Sequence, residues 1–366
     1  MTIETTLLMQ QNVSLLPLIS FFGCIALILL ARVFPRLRGR AGDETAVQSM
    51  HVGQTPRVGG VAIFGALACS AFFAPETILR NYIEFMFATS IVFVVGLKED
   101  LGFHVSPRVR LLAVVIASLT VIALIGMWLP RIGVPFVDQL LAYWFLGIPF
   151  TLLITAGVSN GFNLIDGVNG LASLTAICAA IALALIARQA GNIEMMGLCL
   201  MLAAVVFGFF VLNYPFGFIF LGDAGAYTIG FVLSWFGIVL LINAPAVSPW
   251  AVLLALFWPL ADTLLAMSRR SRSNKEAMTP DRLHYHQLVM RTIEIVFLGR
   301  NKRHLSNSLT TLILAPFVIA PQIVAVLLWD QNLNALLAVL VFLVLFFGSY
   351  VLGVAAVRNR KRRPKG

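Results

Sequence analysis

Charge is what this 366-residue sequence has least of: only 11% of its positions are Asp, Glu, Lys or Arg, while 60% are hydrophobic. So little charge, with a mean hydropathy of +0.93, excludes an ordinary soluble globular domain and makes a multi-spanning helical membrane protein the expectation. Carboxylates are scarcer than cations, 16 against 26, so each one set in apolar surroundings is a candidate for function. There is no C-x-x-C pair. Cys24, Cys69, Cys178 and Cys199 each lie in an apolar run and read as small packing residues, not as disulfides or metal ligands. No Lys or Arg precedes the first apolar run, the first being Arg32, which excludes the basic start of a secretory signal; the N-terminal stretch is expected to belong to the mature protein.

What is present is hydrocarbon in lengths near the roughly 20 residues that a spanning helix needs. About eleven such stretches are counted, near 13–34, 58–75, 81–97, 109–128, 144–160, 168–188, 194–213, 225–243, 249–267, 308–328 and 334–356. The expected fold is an all-α integral membrane protein, one polytopic unit over residues 1–366. Eleven spans place the termini on opposite sides. The connections after odd-numbered spans, with the tail, hold 23 of the 26 Lys and Arg, and the other side holds Arg80, Arg131 and Arg188. The positive-inside rule then predicts an extracytoplasmic N-terminus and a cytoplasmic C-terminus. Candidate catalytic loops fall near 36–57, 98–108, 160–170, 214–225 and 268–307, with a basic tail at 357–366. The positive charge is thereby a topology signal, and no nucleic-acid partner is expected.

The polar residues gather on that predicted cytoplasmic side. NGFNLIDGVNG, residues 160–170, sets three Asn, one Asp and three Gly inside eleven positions. Asn160, Asn163, Asp166 and Asn169 recur every three residues and drift slowly around one helical face; amides offer the donors and acceptors that nucleobase or sugar recognition requires. A polar connection between spans would explain the glycines but not four spaced polar side chains. Glu99 and Asp100 are adjacent carboxylates at a membrane edge and need a cation or a proton, unless they form a solvated helix end paired with Lys98 or Arg108. Asp223, held between Gly222 and Gly225, is the only ionisable residue in roughly 30 mostly apolar positions. A lone aspartate suffices for Mg2+, which takes one or two carboxylates plus waters and phosphate oxygens; the alternative is a buried aspartate paired with an arginine. Asp262 is a weaker case of the same kind. His284 and His286 share a face only in an extended backbone, and with Arg282 and Arg291 they suit anionic phosphates or simply a solvated basic loop; the surrounding spacing does not suit zinc.

Together, HVGQTPRVGG (51–60), GLKEDL (96–101), NGFNLIDGVNGLA (160–172), FLGDAGAY (220–227) and DRLHYHQLVMR (281–291), in this order, resemble the polyprenyl-phosphate N-acetylhexosamine-1-phosphate transferases of glycosyltransferase family 4. That family includes WecA-type enzymes and the phospho-MurNAc-pentapeptide translocase. The resemblance implies transfer of a sugar phosphate from a UDP-N-acetylhexosamine to undecaprenyl phosphate, with release of UMP and dependence on Mg2+, for which Mn2+ can substitute. It also implies a bacterial inner-membrane location with a cytoplasmic site, a role in starting a surface polysaccharide such as O-antigen, and a homodimer as one oligomeric state. By matching positions, it assigns Glu99, Asp100, Asp166, His284 and His286 as catalytic. His51, Arg57, Arg108, Asn160, Asn163, Asn169, Arg282 and Arg291 are expected to bind substrate. Asp223 is the expected metal ligand, with Asp166 as a second.

Three departures from the family pattern stand out. Glu99 replaces an Asp, Asn169 stands where many relatives carry a second aspartate, and Gln287 stands where a third histidine is common. The first keeps the charge, the second implies that Asn169→Asp is tolerated, and the third leaves that position without a cationic role. The competing classes are the translocase-type reaction and, outside enzymes, a transporter or lipid flippase, which calls for a repeated pair of broken helices. No such repeat is visible in the sequence.

Overall fold

The computed structural model describes residues 14–38, 55–74, 76–272 and 284–362; His51 and Arg282 lie outside them. Among the described residues the chain is helical throughout, as it must be where lipid offers no partner for backbone N–H and C=O groups. Its helices are α1 (Leu16–Val33), α2 (Gly59–Ser70), α3 (Glu76–Asp100), α4 (Pro107–Ile125), α5 (Pro135–Leu141), α6 (Trp144–Ile165) and α7 (Leu171–Gln189). They continue with α8 (Ile193–Asn213), α9 (Gly222–Asn243), α10 (Pro249–Ala255), α11 (Phe257–Arg272), α12 (Tyr285–Ile293), α13 (Arg303–Leu327) and α14 (Asn332–Arg362).

Nine of these helices are long and apolar enough to cross a membrane, among the described residues. The remaining two expected spans differ from simple rods. The one near 58–75 is the shorter apolar helix Gly59–Phe73, and the one near 249–267 is α10 and α11, bent by 81°. The break falls at Leu256, between α10 and α11, and part of its polar cost is met from α13, where the Gln322 side chain donates to Ala255 O at 3.4 Å. Two expected loops are also partly helical: Asn160 and Asn163 belong to the last turns of α6, and Gly222 to Gly225 form the first turn of α9. Residues 285–293, read from sequence as loop, form α12.

The centre of the bundle is α9, which packs against α2, α3, α6 and α7. In its apolar window 89% of residues are buried, against 22% for α1 and α14, so those two face outward and α9 is core. A helix apolar on all sides belongs in such a place. Close approach is bought with small residues, as is usual where helices meet in membranes. A Cβ on Gly60 would stand 2.7 Å from Gly225 Cα, and one on Gly96 would stand 2.6 Å from Ala224 Cα. The segment before α2 also runs beside the segment before α9. Phe220 N donates to Pro56 O at 2.8 Å, while Gly59 N and Gly60 N donate to Phe220 O and Leu221 O, both at 2.9 Å. The glycines of VGG and GDAGA therefore serve the packing that fixes where α9 begins.

Both ends of α9 are compensated by other parts of the chain. At its C-terminal end Arg131 donates to Val247 O at 2.9 Å, Ala244 O at 3.2 Å and Leu241 O at 3.4 Å, a cation against the negative pole of the helix. At its N-terminal end stand carboxylates.

Candidate active site

Asp100, the last residue of α3, is 3% exposed. Its Oδ1 accepts from Asp223 N and its Oδ2 from Ala224 N, each at 2.8 Å. Asp166, just past the end of α6, accepts from Gly222 N. Three orphan N–H groups of α9 are thus met by two carboxylates from two other helices, the charge sign that a helix N-terminus favours. Arg57 acts electrostatically on both carboxylates. Burial pushes the Asp166 carboxyl up to about 7, against the opposing pull of Arg57 and the Gly222 bond.

Asp223 itself, on the first turn of α9, accepts from Asn163 Nδ2 at 2.9 Å through Oδ1 and pairs with the Arg110 guanidinium through Oδ2. Arg110 lies over the Tyr227 ring, 5.8 Å from its centroid, and the Tyr227 hydroxyl reaches Asn160 Oδ1 at 3.4 Å. The structure therefore realises the arginine-paired aspartate that the sequence left as an alternative, and it adds Arg110 to the site. Arg108 and Arg110 sit two positions apart on α4, so their side chains leave on nearly opposite sides. Arg110 turns inward and Arg108 is exposed. The helical period of the segment starting at Pro107 was the signal that could have ranked them.

Glu99 plays a different part from its neighbour: its Oε2 accepts from Val105 N at 2.7 Å and closes the turn between α3 and α4. Asn169 is 2% exposed and ties the α6–α7 connection to distant chain. Its N–H donates to Asn307 Oδ1 at 2.7 Å, its Nδ2 to Pro215 O at 3.1 Å, and its carbonyl accepts from Thr311 at 2.6 Å. These bonds revise the expected tolerance of Asn169→Asp. A carboxylate would lose a donor and face the Pro215 carbonyl, a loss of about 1–3 kcal/mol. The variant is expected to melt at lower temperature than the parent, measured by thermal unfolding in detergent.

The histidines approach from α12. His284 is the N-cap residue, in an extended conformation (ψ 155°), and Gln287 returns to its backbone N–H at 3.4 Å, which gives Gln287 a capping role. The two rings lie nearly parallel, 11° apart in plane with centroids at 5.8 Å, so the extended N-cap brings to one face what a continuous helix would separate. His286 is 1% exposed; its Nε2 has no partner and abuts Gly167, where any Cβ would collide with the ring. The glycine of the Asp-Gly pair is what admits His286 beside Asp166. Burial, reinforced by nearby His284 and opposed by Asp262, lowers His286 to about 4, so this ring is neutral at neutral pH. Arg291 is half-buried on the same helix.

Among the described residues no group of three or more His, Cys, Asp or Glu could hold a metal alone. The donor set fits a hydrated Mg2+ completed by substrate phosphates better than it fits a protein-only cage. Asp223, whose Oδ2 faces the Arg110 guanidinium, is the carboxylate that would be offered to such an ion.

Residues 82–241, which contain Asp100, Asn163, Asp166 and Asp223, match the sequence profile of glycosyl transferase family 4. The chain is similar to the undecaprenyl-phosphate alpha-N-acetylglucosaminyl 1-phosphate transferase of Yersinia pestis, 27% identical over 260 residues that cover 68% of this chain and 69% of that protein. It is likewise similar to the probable undecaprenyl-phosphate N-acetylglucosaminyl 1-phosphate transferase of Bacillus subtilis (strain 168), 24% identical over 269 residues, 73% of this chain and 75% of that one. The corresponding Escherichia coli (strain K12) transferase is 25% identical over 262 residues, 68% and 69% of the two chains. The resemblance read from the motifs is thereby borne out.

Proposed function

We propose that this multi-pass membrane protein transfers GlcNAc-1-phosphate, or a closely related N-acetylhexosamine phosphate, from its UDP-sugar to undecaprenyl phosphate and releases UMP. The observation that carries the reading is the convergence of Asp100, Asp166, Asp223, Asn163, Arg57 and Arg110 on the start of one buried helix. The named activity of the relatives supports the same reaction. The reaction joins a lipid phosphate to a nucleotide-sugar, and the meeting ends of α3, α6 and α9 bring together the charged and amide groups that such a transfer calls for. One bent helix pair stands among the described residues, where a transporter would call for two.

In the reaction, an oxygen of the lipid phosphate attacks the β-phosphorus of the donor. The bond from that phosphorus to the bridging oxygen breaks, UMP leaves with the oxygen, and a lipid-linked diphosphate sugar forms. Both reactants are anionic, so the protein's task is mostly positioning and charge neutralisation. Mg2+ bound at Asp223 would supply charge stabilisation on the diphosphate. Arg110, beside Asp223, would offer its guanidinium to a phosphate oxygen, and Arg57 balances the Asp100 and Asp166 carboxylates. Asp100 has both oxygens committed to backbone N–H groups of α9, which favours direct attack by the lipid phosphate over a carboxylate nucleophile. A polyprenyl phosphate is already largely ionised and needs alignment more than a base.

Purified protein incubated with undecaprenyl phosphate and a panel of UDP-sugars should release UMP only with lipid present, and fastest with a UDP-N-acetylhexosamine. No UMP with any donor would sink the reading. Exchange of labelled UMP into UDP-sugar in the rigorous absence of lipid would overturn the direct route. The cytoplasmic placement of the site has its own test. A cysteine at Phe103, in the turn after Asp100, should react with an impermeant thiol reagent from the inner side of the membrane, and one at Gln139, on α5, from the outer side. The reverse pattern would invert the topology.

A further inference from the structure

Asp262 is an acidic side chain beside the histidines to which the proposed chemistry gives no task. It lies on α11 and is 1% exposed, and a buried ionised carboxylate is costly unless its oxygens are met. Both are met by the start of α12. Oδ2 is 2.8 Å from His284 Nδ1, and Oδ1 accepts from Tyr285 N at 3.1 Å. The neighbouring ring Trp258, one turn earlier on α11, packs edge-on against Tyr285 with centroids at 5.3 Å, so the two helices are keyed together around this carboxylate.

The contact does more than hold α12 in place. A carboxylate at Nδ1 fixes the proton there, so the imidazole presents Nε2 as its second functional atom. The ring is also held nearly parallel to His286, whose unpartnered Nε2 lies at Gly167 beside Asp166. A loop histidine aimed at an anionic substrate needs such an orienting partner, because the free side chain would sample rotamers and both tautomers.

We propose that Asp262 is a positioning residue: it holds His284 in the Nδ1–H form, with Nε2 turned to the substrate, and thereby ties the start of α12 to α11. The proposal rests on the transferase reading for its catalytic consequence, while the tautomer it assigns does not. Asp262→Asn keeps the shape and an acceptor for Tyr285 N but removes the charge that selects the tautomer. In a carboxylate–histidine pair of comparable geometry, the same change costs up to about 10⁴ in kcat with the structure intact.

The test uses full-length protein in detergent micelles. Asp262→Asn is expected to lower kcat by about 10²-fold or more, with KM for the UDP-sugar within about threefold, in keeping with loss of an interaction used in the transition state. His284→Gln should lose a similar factor, and the double variant should be no slower than His284→Gln alone, because residues acting through one another are not additive. With five histidines in the chain, ¹⁵N-histidine spectra assigned through His284→Gln should show an Nδ1–H form for His284 in the parent. Asp262→Asn should turn it into a mixture of tautomers. Additive losses in the double variant, kcat within threefold of the parent in Asp262→Asn, or an unchanged His284 spectrum would each overturn the proposal. Should the parent release no UMP with any donor, the spectra still decide the tautomer, and the failure then belongs to the transferase reading.

Discussion

Asp223→Asn is expected to lower UMP release by at least about 10³-fold while the protein stays folded. The amide oxygen can still accept from Asn163, so the packing at the start of α9 is kept. What disappears is the negative charge, and with it the carboxylate offered to Mg2+; loss of several kcal/mol of charge stabilisation corresponds to that factor in rate. Turnover by Asp223→Asn near the parent rate at saturating Mg2+ would refute the metal assignment. Arg110→Gln should act in the opposite sense on binding alone. Without the guanidinium on Oδ2, Mn2+ followed by electron paramagnetic resonance should bind the substrate-free protein roughly tenfold tighter, the order of one charge-assisted hydrogen bond. Turnover should nevertheless fall, because the diphosphate has lost a cation.

Gly60→Val and Gly96→Val are expected to be as damaging by a different route. At either position a Cβ meets the backbone of Ala224 or Gly225 and not a movable side chain end, so α2 or α3 must retreat from α9. Overpacking of this kind costs about 1–3 kcal/mol. The retreat would also pull Asp100 off the N–H groups of Asp223 and Ala224. Thermal unfolding and UMP release should both suffer, and neither variant should be rescued by excess Mg2+. Gly65→Ala on α2, where nothing lies within 4 Å of the added atom, is the control: stability should hold or rise slightly, since Ala is the better helix former. A parent-like melting temperature in Gly96→Val would show that the helices do not meet as closely as described.

Much of the architecture was legible in the amino-acid sequence. The apolar runs located every long helix, with ends about two to six residues off where polar residues extend the helix beyond its apolar part, because a helix in lipid must satisfy its own backbone and so needs a continuous apolar stretch of set length. The break at Leu256 and the α12 helix were not legible. The first lies inside an unbroken apolar run, so periodicity carries no mark of it, and the second begins at a histidine N-cap, which is no strong start signal.

The site divides in the same way. The residue types, their order along the chain and their gathering at one end of the bundle could be read from the sequence, since carboxylates and amides in an apolar chain must be placed where something meets them. Which partner meets which group was decided only by the fold. Asp100 accepts from the N–H of Asp223, 123 residues later, Asp223 pairs with Arg110 across 113 positions, and Asp262 meets His284 Nδ1 through the approach of α12 to α11. Local pattern reports which face a side chain leaves from, and hydrogen bonds join atoms whose separation along the chain has no bearing on their separation in space. Composition and patterning alone thus specify a helical membrane protein whose acidic and amide motifs resemble those of the sugar-phosphate transferases. The close packing of α2, α3 and α6 around α9 decided which of those groups hold the helix, which hold each other, and which are left to meet a ligand.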